Sequence, residues 1–185
     1  MQFTTAFVAA SAALTASALP QTTPIAADAK FGILAIHSGS DIQNTPFQAA
    51  LSSIIIGANS QNASCDAPTN SATFYLQDSE LKLFAESATP QSLFVDRSGM
   101  GQGKVGFVTG AQPLPSNAET KGWAIDDKNV LSFNGEGLQA CPNSIDGAWS
   151  VWLSGTTNPA GNSECIGISP AVQVADPAIG CSYTS

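Results

Sequence analysis

Positive charge is scarce in this chain. Of 185 residues only 6 are Lys or Arg, against 14 Asp and Glu, for a formal net charge of -8. Nucleic acid and anionic lipid are gripped by clustered cations, so this balance excludes both as partners. Histidine is reduced to His37, and no CxxC occurs near it or elsewhere, which removes the ligand spacing of a zinc site. No metal or other cofactor is expected. Any His-dependent hydrolysis would also rest on His37, and AIHSGSD sets His37, Ser38, Ser40 and Asp41 close together. Neighbours on an extended segment point to opposite faces and cannot align nucleophile, base and orienter. The GxSxG elbow is absent as well. After the first twenty residues no apolar run reaches the ~20 residues of a bilayer crossing, and the ending AIGCSYTS has no apolar anchor tail.

The N-terminal stretch MQFTTAFVAASAALTASALP is apolar, interrupted by Ser and Thr, and closes on Ala-Ser-Ala. It predicts a secretory signal peptide over 1–18, cut after Ala18. Residues 19–30, LPQTTPIAADAK, read as an extended leader with two prolines, and 31–185 as one β-rich domain. About 167 residues remain after cleavage, enough for a single core.

GQGKVG, residues 101–106, satisfies the dinucleotide fingerprint GxGxxG. Phosphate binding needs a helix to leave that turn, because the helix N-terminus supplies the amides. Here VGFVTG leaves it, so a glycine-rich β-hairpin is predicted. Ten further segments are short, rich in β-branched and aromatic residues, and bounded by Gly, Pro, Asn, Asp or Ser: FGILAIHS, SIIIGA, ATFYLQ, LKLFA, SLFVD, GWAID, VLSFNG, LQACP, AWSVWL and CIGISPAVQVA. Only QNTPFQAALSSI passes for a turn or two of helix. FYLQDSELKLF and WAIDDKNVLSF share spaced apolar positions around a polar turn, as a repeated hairpin would or as unrelated hairpins can. The fold class is all-β, a single disulfide-bonded domain of β-barrel or β-trefoil-like form, with a β-sandwich as the alternative.

Cys65, Cys141, Cys165 and Cys181 all follow the leader, and an even count in an oxidising compartment predicts two disulfides. Three connectivities remain open. Asn62-Ala63-Ser64 is the acceptable glycosylation sequon, Asn44-Thr45-Pro46 and Asn158-Pro159 being spoiled by proline, and it sits in a loop-like stretch. Paired acids for glycoside cleavage would come from Asp78 with Glu80, Asp126 with Asp127, or the separate Glu86, Glu136 and Glu164. Each lies in a turn-like polar cluster where acids cap backbone amides, so no catalytic pair is predicted. Trp123 and Trp152 are candidate carbohydrate contacts, since flat rings stack on sugars. In AWSVWL the faces alternate, Trp149 with Val151 and Ser150 with Trp152, which puts at least one tryptophan in the core and leaves one for the surface; core packing is the competing reading for most of the aromatic residues.

The N-terminal MQFTTAFVAASAALTASALP together with LFVDRSGMGQGKVGFVTG, GWAIDDKNVLSFNG and LQACPNSIDGAWSVWL resembles the PhiA family of fungal cell wall proteins. More distantly, Asp96, Gly103 with Gly106, Gly122-Trp123, Cys141 and Cys165 follow the order of the four-cysteine domain of yeast internal-repeat wall proteins. Their glutamine-containing repeat and dibasic processing site are absent, Lys30 standing alone. The PhiA resemblance implies a secreted, wall-located, non-enzymatic protein. It also implies a role in phialide and conidium development and in stress protection, with cell wall polysaccharides or other wall proteins as partners.

Overall fold

The computed structural model describes residues 23–86 and 89–185. The expected signal peptide, 1–18, lies outside the described residues, as do positions 19–22 of the leader. Fifteen strands follow one another in the described chain: β1 Phe31–Ile36, β2 Thr45–Ala50, β3 Ser53–Ile56, β4 Ser64–Cys65 and β5 Phe74–Gln77 come first. β6 Glu80–Leu83, β7 Gln91–Asp96, β8 Lys104–Thr109, β9 Ala118–Glu119 and β10 Trp123–Ile125 continue. β11 Leu131–Phe133, β12 Leu138–Cys141, β13 Trp149–Leu153, β14 Ile166–Val174 and β15 Cys181–Ser182 complete the series. The eleven segments read as strands from sequence all are strands, and the class is all-β as expected.

Eleven strands form one antiparallel sheet in the order β14-β12-β13-β8-β3-β2-β1-β5-β6-β7-β9, and β14 also pairs with β1. That last pairing runs from Phe31↔Val174 to Ile36↔Ser169 and curls the sheet back on itself. A clean barrel does not result. β1 divides its other edge between β2 and β5, and β3 reaches β2, β8 and β13, so the ladder branches where a barrel would run on. Phe31, Phe47, Phe74, Phe107, Trp123 and Phe133 fill the interior, each at most 2 % exposed. Removing a side chain of this size from water stabilises the fold by roughly 1.5–3 kcal/mol. Trp123 meets Phe133 edge to face across β10 and β11, ring centres 4.9 Å apart.

QNTPFQAALSSI departs from its helical reading. Thr45–Ala50 is strand β2, and Leu51 and Ser52, with φ of 48° and 55°, form the turn into β3. Ala49 lies opposite Ile54, so pairing with the buried Ile54–Ile56 segment overrides the short helical pattern. The two echoing segments are both hairpins, with different turns. β5 and β6 join through Asp78-Ser79, both at positive φ, whereas residues 126–130 connect β10 to β11.

The disulfides are Cys65–Cys181, which locks β4 to β15 in direct register, and Cys141–Cys165, which ties the end of β12 to the residue before β14. Residues 23–30 lie on the domain. Ile25 packs against the core and its N–H donates to Asn129 Oδ1 at 3.2 Å, while Asn129 Nδ2 donates to the Thr23 carbonyl at 2.9 Å. The Lys30 ammonium stands 5.3 Å above the Tyr75 ring and 5.6 Å above that of Phe84.

Candidate functional site

The glycine fingerprint closes the β7–β8 hairpin, with Asp96 opposite Lys104. Asp96 shapes the loop: its Oδ1 accepts from the Ser98 N–H at 2.9 Å, and its carbonyl accepts from the Gly103 N–H at 2.7 Å. A Cβ on Gly101 would collide with the Asp96 carboxylate, so a side chain there would push that carboxylate off the Ser98 N–H. Gln102 and Gly103 both have positive φ, and the chain leaves as a strand. A nucleotide role finds no helix here.

That loop meets two others, 134–137 between β11 and β12 and the connection from β13 to β14, around a cleft of about 260 Å³. Gly103 and Leu153 form its floor: the Gly103 carbonyl accepts from the Leu153 N–H at 2.9 Å, and a Cβ on Gly103 would lie 3.2 Å from Leu153 Cβ. Gln102 ties the walls together, its Oε1 accepting from the Ala160 N–H at 2.7 Å and its Nε2 donating to the Gly99 carbonyl at 3.0 Å. Arg97 lines one side, with Nη2 3.1 Å from Glu136 Oε1, Nε 3.3 Å from Glu119 Oε2, and its guanidinium 5.6 Å from the centre of the Phe133 ring. Gly155 and Thr156 line the other side. The ion pairs are partly exposed, so their net stabilising effect is small, about 0–1 kcal/mol each. They fix the direction of the guanidinium.

The remaining residues singled out from sequence lie apart from one another. Trp123 is 1 % exposed and Trp152 5 % exposed, so neither ring offers a face to solvent. Trp152 Nε1 donates to Ser150 Oγ at 2.8 Å on their shared face, while Trp149 is half-buried against the core. Asp126 Oδ1 accepts from the N–H groups of Lys128 and Val130 at 2.9 and 2.8 Å, as a turn-capping acid does. Glu80 pairs with Lys82 at 3.3 Å and accepts from Thr120 Oγ1. His37 Nδ1 is 2.6 Å from the Gly167 carbonyl, which fixes the proton on Nδ1, and Ser40 Oγ donates to the His37 carbonyl. Asn62 is exposed, with φ 49° and its Oδ1 accepting from Ser60 Oγ at 3.1 Å.

Arg97, Glu119, Gly155 and Thr156 carry no local sequence signal. The three loops that hold the cleft are brought together by the sheet, and Glu136 alone among its acids stands out in the sequence. Among the described residues no helix is long and apolar enough to cross a membrane, and no group of three potential metal ligands occurs.

Residues 31–184 match the family model described as PhiA-like secreted protein. The chain is 59 % identical over 186 residues to a protein of Aspergillus fumigatus named cell wall protein phiA, covering 100 % of both chains. Proteins of the same name match from Aspergillus niger, at 55 % identity over 94 % of this chain and 95 % of theirs, and from Emericella nidulans, at 45 % over 100 % of both. No solved structure matches. With the family model matching residues 31–184 and two of these relatives matched from end to end, the chain belongs to the PhiA-like family of secreted cell wall proteins.

Proposed function

We propose that the protein is a non-enzymatic constituent of the fungal wall that supports the asexual spore-bearing structures, phialides and conidia, and takes part in stress protection. The observation that carries this reading is full-length identity of 59 % to a protein named for the cell wall. The developmental part rests on family resemblance. The non-enzymatic part is supported by the way candidate groups are spent: Asp126 caps a turn, Glu80 and Glu136 sit in ion pairs, and His37 is bonded to a backbone carbonyl. Fractionation of a sporulating culture tests the reading. A substantial share of the protein is expected in washed walls, and recovery from the medium alone would overturn it.

A carbohydrate-binding module is the second reading, favoured by the polar cleft. Contact through Trp123 or Trp152 would require those rings to leave the core, so on this reading sugars meet the loop surface.

A further inference from the structure

The cleft beside Arg97 has a chemistry that selects its occupant. One guanidinium stands between two carboxylates, Glu119 and Glu136, on a chain whose formal net charge is -8, so an anion is repelled. A metal cation meets the fixed positive charge of Arg97 in the position it would need. A neutral polyol suits the arrangement. Arg97 Nη2 and Glu136 Oε1 lie 3.1 Å apart as donor and acceptor side by side, the spacing presented by adjacent ring hydroxyls. Among the described residues, Glu136 Oε2 and the Thr156 hydroxyl have no hydrogen-bond partner and line the opening. Gly103 and Leu153, both buried, close the bottom of the cleft, so recognition falls to the polar groups of its walls.

The opening depends on small residues. A Cβ on Gly155 would stand 3.4 Å from Glu136 Oε2, inside the space between the two walls. About 260 Å³ falls below the roughly 300–1,000 Å³ of sites for drug-sized ligands, which fits one or two sugar rings of a longer polymer.

We propose that this cleft is a subsite for a neutral pyranose ring of a wall polysaccharide, with Arg97, Glu136 and Thr156 bonding its hydroxyls and Gln102 positioning the walls. The proposal rests on the wall reading above and adds to it the ligand class and the residues. Amide NMR of the mature protein titrated with soluble β-1,3-linked glucose hexamer, and separately with N-acetylglucosamine hexamer, tests it. Saturable shifts centred on Gly103, Gly155 and Thr156 are expected with at least one probe. Gly155→Leu, which fills the opening, should weaken binding at least tenfold at an unchanged melting temperature. Glu136→Gln, which keeps the shape, should weaken it severalfold, a control should Gly155→Leu fail to fold. No shifts with either hexamer, shifts confined to another face, or undiminished binding by both variants would overturn the subsite. Wall fractionation of the Gly155→Leu protein separates the two ideas: wild-type wall retention with no hexamer binding by either protein sinks the subsite and leaves the wall reading intact.

Discussion

The Gln91 side chain grips the backbone of Tyr183 on both sides. Its Nε2 donates to the Tyr183 carbonyl at 2.9 Å and its Oε1 accepts from the Tyr183 N–H at 2.9 Å. Gln91 is 2 % exposed and acts as a surrogate strand for the C-terminal segment, from 92 residues away in sequence. Gln91→Leu keeps the volume but leaves two buried backbone groups unpaired, at a cost of about 1–3 kcal/mol each. Urea denaturation is expected to show a loss of about 2–5 kcal/mol, and a change within 0.5 kcal/mol would refute the clamp.

The same tyrosine makes the fold sensitive to alkali. Burial pushes the Tyr183 phenol up to about 12 from its ordinary 10.0, against a smaller opposing effect from the Thr73 N–H that donates to its oxygen. Below pH 10 the phenol keeps its proton folded or unfolded, and its contribution is full. Between about 10 and 12 the unfolded chain releases the proton first, so stability falls by roughly 1.4 kcal/mol per pH unit. Urea midpoints from pH 8 to 12 should show the decline in wild type and a shallower one in Tyr183→Phe. Parallel profiles would contradict this assignment.

The two disulfides close loops of unequal length, with sequence separations of 116 and 24. In the chain-entropy model these correspond to about 5 and about 3.5 kcal/mol. The double variant Cys65→Ala with Cys181→Ala should therefore melt below Cys141→Ala with Cys165→Ala. The reverse order would show that native-state contacts, not loop closure, set the difference.

Trp123 sits at the centre of the core against Phe133. Trp123→Ala is expected to cost about 3–5 kcal/mol, read as an early denaturation midpoint. A stable, folded Trp123→Ala protein that had lost only sugar binding would restore the ring as a surface contact.

Strand existence was legible because alternation and turn residues are local signals. FGILAI alternates buried and half-buried along β1 as its pattern implies, and the polar cluster in WAIDDKNVLSF is a turn capped by Asp126. β2 was not legible: TPFQAA has a burial pattern set by Ile54–Ile56 beside it, a pairing the segment itself does not encode. The cysteine pairing needed the approach of β15 to β4, and the cleft needed three loops from 97 to 161 to converge. Trp152 shows the limit of face counting. Alternation places it on the same face as Ser150, where its Nε1 bonds Ser150 Oγ, but both faces of β13 are covered, so the ring is buried.

Co-sedimentation of the purified mature protein with washed fungal wall, chitin and β-glucan, with the supernatants assayed for released sugar, separates a wall constituent from an enzyme acting on the wall. The protein is expected to pellet with the wall and release no sugar. Sugar release, or a protein left wholly in the supernatant with all three materials, would contradict a non-enzymatic wall constituent that holds polysaccharide.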